Sequence, residues 1–393
     1  MSFDIALSGI QAINEQLNTV SNNIANAATY GFKAGRANFS SVMAGSKANG
    51  VEIGSITQNI SQNGSTTTTG RGMDAAIDGR GFFVSVNNQG TTTYSRVGIF
   101  STDTKGFLID SNGDQVQGYG PSKNGSLGAM GPIQVPTGQI PAVATTGIAY
   151  TGNLSADRTV PTTTFSPTDN TSYNMVKQSI VYDSLGSQHT LSQYFVKQDA
   201  TTVNAFYSLD GATPGATPAT LKFDTTGQLT ATTGNTVAVP ASGGAAAGSV
   251  TVDYTGTTRF AGEATTTTNR SDGYASGAFV GVSMASDGSL VAKYSNDQSQ
   301  VVGTVAIATF ANEGALSSIS NTGWVANADS GAALYNAPGV GLAGKLSTGA
   351  LEGSNVDITS ELVGLMTSQR NYQANSKVLT TESQMMQALM QAL

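Results

Sequence analysis

Cysteine is absent from the 393 residues, histidine and tryptophan occur once each, and only 11% of residues are charged. The missing thiols exclude disulfides, Cys-ligated zinc, iron–sulfur clusters and thiol catalysis. Any catalytic triad would have to run through His189, and no Gly-x-Ser-x-Gly elbow accompanies it. With no cysteine and no clear carboxylate pair close by in sequence, His189 reads as an ordinary strand residue, neither a metal ligand nor a catalyst. A net charge of −7 leaves no basic patch for phosphates, so no nucleic-acid partner is expected. No run approaches the roughly 18 apolar residues of a membrane span, and the N-terminal segment lacks the Lys/Arg face that anionic lipids attract, so no membrane insertion is expected. The first residues also lack the basic start of a cleaved signal peptide; an exported chain of this kind would leave by a leaderless route. Proline is missing from both ends, since all ten lie between Pro121 and Pro338. The terminal segments therefore keep every backbone donor that long helices need.

Those proline-free ends carry heptad patterns. Phe3, Ile10, Leu17 and Ile24 lie seven apart, with a second row at Ala6, Ile13, Val20 and Ala27. At the other end Ile358, Leu365, Tyr372, Leu379, Met386 and Leu393 form one apolar row, while the row beside it is polar at Glu361, Ser368, Asn375 and Glu382 before Leu389. A 3-4 spacing repeated every seven residues is the mark of helices that pack on helices. The pattern predicts a helix over 2–28, broken at Thr29-Tyr-Gly31, and a second starting near Asn355 or Asp357, either of which can cap it. Ordering backbone costs roughly 1–2 kcal/mol per residue, whereas the six large N-terminal seam residues return about 1.5–3 kcal/mol each if fully buried. The first helix therefore needs a partner, and an isolated subunit is expected to have mobile ends that become helical on assembly. The polar row of the second helix should face a more polar neighbour. Which faces Gln369, Arg370 and Asn375 occupy is left open.

Between the ends, 47 glycines, abundant Thr and Ser, and 39% hydrophobic residues point to short strands and turns rather than disorder. Residues 31–69 read as a connector containing one strand at Val51–Ile56. Residues 70–146 and 273–354 read as an inner β-domain, interrupted by an outer one at 147–272. The expected fold is thus multidomain and mainly β with terminal α: helices over 1–30 and 355–393 forming a coiled-coil-like domain, and two nested β-domains. Asp103-x-x-Gly106-x-Leu108 recurs as Asp224-x-x-Gly227-x-Leu229, with a shorter version at Asp287-Gly288, and predicts hairpin turns. Gly70-Arg-Gly72 and Gly79-Arg-Gly81 lack the following helix of a phosphate loop and read as β-turns. Asp74 and Asp78 share a turn region, where hydrogen bonding within the turn is the default and a glycosidase pair the alternative.

Several stretches together carry a family likeness. Ser21-Asn-Asn-Ile-Ala-Asn-Ala-Ala-Thr-Tyr-Gly-Phe-Lys33, Ser354-Asn-Val-Asp-Ile358 and Gln369-Arg-Asn-Tyr-Gln-Ala-Asn375 resemble the end motifs of bacterial flagellar rod and hook axial proteins. Gly70–Phe83 and Tyr94–Phe100 are similar to the inner β-domain of that family. Length, the large insertion and the segments Val181–His189, Tyr194–Lys197, Tyr294–Gly303 and Phe310–Asn312 favour hook over rod. The resemblance implies a non-enzymatic subunit of a curved tubular homopolymer, without cofactor or metal, that carries torque from rod to filament. Implied partners are the flagellar rod, hook cap and hook–filament junction proteins and the type III export apparatus. The expected assembly interface is Phe3, Ile10, Ile13, Leu17, Val20, Ile24, Ile358, Leu365, Tyr372, Leu379, Met386 and Leu393. A distal rod subunit and a secreted carbohydrate-binding or carbohydrate-active β-protein are the competing readings.

Overall fold

The terminal heptads form two helices, and strands make up most of the chain between them. The structure, a computed structural model, describes residues 2–44, 47–121, 126–215 and 217–391. Helix α1 spans Ser2–Ala25 and helix α2 spans Ile358–Gln391. Helix α1 stops three residues before the expected Ala28. The Asn26 amide donates to both the Asn22 carbonyl and its side-chain oxygen, and the Thr29 hydroxyl donates to Asn26, so side chains take over from the helical ladder. Of the two candidate caps on α2, Asp357 is the one used. Its Oδ1 accepts from the backbone N–H of Thr359 and Ser360. Asn355 serves elsewhere, as described below.

The segment read as a connector carries a long hairpin, β1 (Gly35–Ala44) and β2 (Lys47–Gln58). It is poor in β-branched residues on its first strand, which hid it from a propensity argument. Polar cross-strand pairs support it instead: Asn38 donates to Ser55 Oγ at 3.1 Å and to Thr57 Oγ1 at 3.0 Å. The hairpin lies along α1, where the Val51 N–H reaches Ser8 Oγ at 3.2 Å.

The chain divides into two compact units. One comprises Met1–Thr137, Gly281–Lys293 and Ser299–Leu393; the other comprises Gly138–Val280 and Tyr294–Gln298. In the first, strand Phe82–Val86 pairs antiparallel with Thr92–Ser95, with Gln115–Tyr119 and with Ile307–Thr309. Chain from either side of the second unit is thereby joined in one sheet. Alternation puts Phe82 and Val84 on one face with Tyr94, Phe310 and Trp324, where the Phe82 and Trp324 rings lie 5.4 Å apart. Phe83 takes the other face, edge-on to Phe100 at 5.0 Å. Each such ring contributes about 1.5–3 kcal/mol by leaving water. Further along, Lys345–Thr348 pairs with Ala75–Asp78 and Ala350–Glu352 with Thr66–Thr68, which brings the start of α2 back to the end of the β1–β2 hairpin.

The second unit is two sheets around a shared core. A five-stranded antiparallel meander runs through Met175–Tyr182, Gln188–Lys197, Thr202–Leu209, Ala219–Phe223 and Leu229–Thr233. Four further strands, Thr236–Val239, Gly248–Asp253, Gly147–Asn153 and Thr265–Ser271, form the other sheet. Leu191, Phe195 and Leu221 from the meander meet Ile148, Tyr150 and Val252 from the second sheet.

One turn recurs in both units. At Asn87, Asp103, Asp110, Asp183 and Asp224 the side-chain oxygen accepts the N–H groups two and four residues on, and a glycine three residues on has positive φ. The sequence pattern found Asp103 and Asp224; it missed Asp110 and Asp183 because it demanded a following leucine, and Asn87 because it also demanded Asp in the first place. Ala285–Ser289 has the same backbone bonds with Ala285 in the first place, and Tyr294–Gln298 has them with Asp297 in the glycine position. At Gly106 (φ 84°) a Cβ would stand 2.4 Å from the Val135 carbonyl oxygen. Gly106→Ala should therefore lower the unfolding free energy of the first unit, read from urea unfolding, by more than the roughly 1–2 kcal/mol of the left-handed backbone alone. Asp297→Gly, at the same turn position, should leave the midpoint of the second unit unchanged or raise it.

Candidate assembly site

Helices α1 and α2 lie antiparallel, and the faces they turn to each other are unlike. Helix α1 buries Ala6, Ile13 and Val20, one of its two apolar rows, together with Asn23. Opposite them stands the polar row of α2. Asn23 Nδ2 donates to Glu361 Oε1 at 2.9 Å, Asn375 lies against Gly9, Gly364 lies against Val20, and Ser368 is buried. Glycine at two of these contacts lets the helices approach closely.

The expected interface residues divide accordingly. Ile13 and Val20 are buried within the pair; Ile10, Leu17, Ile24, Leu365 and Leu379 are half-buried; Phe3, Ile358, Tyr372 and Met386 are exposed, Met386 at 66%. Leu393 lies outside the described residues. The exposed set is larger than the heptad row foretold. Ile5 and Leu7 on α1, and Leu362, Val363, Met366, Val378, Met385, Leu389 and Met390 on α2, are also in water. Large apolar side chains left exposed along two helices mark an interaction surface rather than a finished fold. Gln369 and Arg370 point to solvent, whereas Asn375 is half-buried against α1.

Where the helices enter the β-structure, a buried charge cluster holds both. Glu352 Oε1 accepts Lys33 Nζ at 2.6 Å and the Gly64 N–H at 3.0 Å, while Glu352 Oε2 pairs with Arg96 Nη1 at 3.1 Å. The three side chains are almost fully buried. Lys33 also donates to the Gln62 carbonyl at 2.7 Å, and Arg96 to the carbonyls of Ile77 and Gly79, with its guanidinium over the Phe82 ring. Burial holds the Lys33 ammonium below its ordinary pKa, although the Glu352 carboxylate pulls the other way. Asn355 completes the knot by accepting the Ala34 N–H and donating to the carbonyls of Asn59 and Gln62. The Gly31 N–H donates to the Glu352 carbonyl at 2.8 Å. Three stretches, 31–34, 59–64 and 352–355, are thus tied at one point. Reasoning from sequence reached Lys33 and Arg96 only as members of motifs and did not reach Glu352, whose partners lie hundreds of residues away in the chain. An unusual carboxylate just before the Ser354-Asn-Val-Asp start of α2 was the one available signal.

His189 lies on a strand, as read from the sequence, and the fold adds partners that the sequence did not show. Two carboxylates bracket its ring, Asp210 Oδ2 at 2.6 Å from Nδ1 and Asp183 Oδ2 at 3.5 Å from Nε2. The hydrogen bond to Asp210 raises the imidazole pKa above its ordinary 6.5, with burial opposing. A histidine whose folded pKa is raised contributes stability that is complete below the unfolded value and lost as pH rises through the folded one. The urea midpoint of the second unit should therefore fall across that window above pH about 6.5, and His189→Gln should remove the step. Asp74 is buried and accepts the Thr69 hydroxyl at 2.7 Å, the local hydrogen bonding expected of its turn region. Among the described residues no group of three or more His, Asp or Glu side chains is placed to hold a metal ion, and no helix is long and apolar enough to cross a membrane.

Comparison with known proteins accounts for nearly the whole chain. The family model of the flagellar basal body rod protein matches residues 3–33, that of the flagellar hook protein FlgE/F/G D1 domain 76–156, that of the flagellar basal body protein FlaE D2 domain 153–274, and that of the flagellar basal body rod FlgEFG protein C-terminal region 347–392. The chain is similar to the flagellar hook protein FlgE of Salmonella typhimurium strain LT2, 39% identical with 99% of each chain covered. It is 36% identical to that of Escherichia coli K12, again over 99% of each. Similarity extends to Treponema pallidum at 30% identity, over 98% of this chain and 97% of the relative. Among solved structures, the Helicobacter pylori flagellar hook protein FlgE2 shares the fold, with a TM-score of 0.53 and 13% identity over 73% of this chain and 100% of that one.

Proposed function

The chain belongs to the flagellar hook protein family and is a structural subunit of the flagellar hook, and on that premise we propose how its parts divide the work of assembly and bending. The terminal helices build the inner tube. Within one subunit, α1 and α2 close on each other through small and polar residues. Their apolar side chains, Phe3 on α1 and Ile358, Tyr372 and Met386 on α2 among them, pack against the helices of neighbouring copies, with Ile10, Leu17, Ile24, Leu365 and Leu379 completing the contact in a coiled-coil-like manner. The observation that carries this reading is the exposure of those apolar rows while a polar row lies buried between the helices. A surface of that kind gains about 1.5–3 kcal/mol for each large side chain that a neighbour covers.

The β-structure forms the body of each subunit outside the tube, with 147–272 inserted in sequence between 70–146 and 273–354. The division of the chain into two compact units, the second inserted into the first along the chain, supports this nesting. Contacts between outer domains of adjacent copies slide as the tube curves. A low charge content suits that role, because a contact built on fixed ion pairs would break in discrete steps. The same subunit meets the rod, the hook cap and the hook–filament junction proteins at its assembly surfaces. It reaches them as an unfolded chain through the type III export apparatus, for which the absence of disulfides is convenient. Electron microscopy of the purified chain after salt-induced assembly tests the proposal. Curved hollow tubes are expected; straight rigid tubes would remove the sliding mechanism, and absence of any polymer would remove the assembly surface.

A further inference from the structure

Burying the polar row of α2 against α1 is not what apolar burial alone would choose. Rotating α2 about its axis would bring Ile358, Leu365, Tyr372 and Leu379 onto α1 and cover more apolar surface. Two heptad rows also fit each other equally well after a slip of seven residues, so an apolar seam does not fix its own register. The contacts present remove both ambiguities. Asn23 is clamped twice to the start of β1, its Nδ2 donating to the Gly35 carbonyl and its Oδ1 accepting the Gly35 N–H, both at 2.8 Å. The same Nδ2 holds Glu361 at 2.9 Å. A turn away Gly364 meets Val20, and about three turns further on each helix Gly9 admits Asn375, where a Cβ at position 9 would come within 3.2 Å of the amide. All three pairings belong to one antiparallel register. Between them the Ser368 hydroxyl is buried without a hydrogen-bond partner, which disfavours this face for stability alone.

We infer that Asn23, Glu361, Ser368 and Asn375, with Gly9 and Gly364, form a register lock between the two helices that reserves the apolar rows for neighbouring copies of this chain. The inference rests on the reading of the helix pair as the assembly site. Polar residues in a helix seam commonly set register and orientation at some cost in stability. Here the lock also ties that register to the β1–β2 hairpin through Gly35, so a subunit enters the polymer with the exposed rows at a fixed height above its β-structure.

The chain has no cysteine, so introduced pairs report register directly. In otherwise native full-length chain, Gly9→Cys with Asn375→Cys and Val20→Cys with Gly364→Cys should each oxidise to an intrachain disulfide that runs at monomer mass. Val20→Cys with Ser368→Cys, one turn out of register, should not. Adding Asn23→Leu and Glu361→Leu should lower the yield of the Val20/Gly364 bridge about fivefold or more, the ratio set by one to two kcal/mol, and let the out-of-register bridge appear. Glu361→Gln, which keeps an acceptor for Asn23, should retain the native pattern. Fluorescence of Trp324, the single tryptophan, checks that the β-core stays folded in every variant. An unchanged disulfide pattern in the double-leucine chain overturns the lock, as does bridging between chains in the native background. Tubes from the native chain, scored in parallel by electron microscopy, separate that outcome from failure of the assembly reading itself.

Discussion

Glu352→Leu is expected to lower the unfolding free energy of the first unit by about 3–5 kcal/mol, a large part of the roughly 5–15 kcal/mol that holds a typical domain together. The carboxylate bridges two buried cations, Lys33 at 2.6 Å and Arg96 at 3.1 Å. Removing it leaves both charges in a site where water does not reach them, and it also orphans the Gly64 N–H. Lys33 has a partial escape, because burial already holds its pKa down and it can shed its proton. Arg96 keeps only its bonds to the carbonyls of Ile77 and Gly79 and gains no anion in place of Glu352. Trp324 sits in the adjacent core and makes a direct probe for urea unfolding. The triple change Lys33→Met, Arg96→Met, Glu352→Leu should recover most of the loss, because the cost of an unpaired buried charge vanishes once no charge remains. A loss below about 1 kcal/mol in Glu352→Leu alone, the range of exposed pairs, would mean that the cluster hydrates freely and does not hold the helix roots. Lys33 follows α1 and Glu352 precedes α2, so the same change should loosen both helices where they enter the β-structure.

The features that were legible in sequence were periodic or local. Proline-free heptads announced both helices, and Asp-x-x-Gly announced two of the turns. What periodicity cannot give is the face a helix presents to a partner inside the same chain. The apolar row Ile358, Leu365, Tyr372, Leu379, Met386 was read as assembly interface and the polar row as facing a more polar neighbour, but that α1 is this neighbour, held through Asn23, Glu361 and Asn375, was not legible. That choice depends on Gly35, which clamps Asn23 from outside the helix. The Lys33–Glu352–Arg96 cluster was hidden for a different reason. Its members are ordinary charged residues in separate segments, and only chain closure makes them neighbours. The partner of His189 was hidden in the same way, because Asp210 reaches it across adjacent strands. Part of the second strand of the β1–β2 hairpin was legible as Val51–Ile56, and the first strand escaped because its cross-strand support comes from Asn, Ser and Thr side chains rather than from alternating β-branched residues.

Deleting residues 1–28 should abolish polymerisation completely and leave the β-structure folded. Removing α1 takes away Phe3, Ile10, Leu17 and Ile24 and exposes the row of α2 that contains Glu361, Ser368 and Asn375. Helix α2 then has an apolar face and a polar face but no partner to hold either, and helices in proteins take most of their stability from such packing rather than from propensity. The β-core does not depend on the deleted segment. Every member of the aromatic cluster lies at or beyond Ile60, and Lys33 remains to pair with Glu352. Trp324 emission and the urea midpoint of the first unit should therefore change little, while pelleting assays and electron microscopy find no tubes under conditions where the intact chain assembles. Cells carrying only the shortened chain should be non-motile. Tubes of normal diameter and curvature from the truncated chain would show that the β-units alone set the polymer. The helices would then be a closed pair with no part in assembly, and the exposed methionines and leucines of α2 would need another explanation.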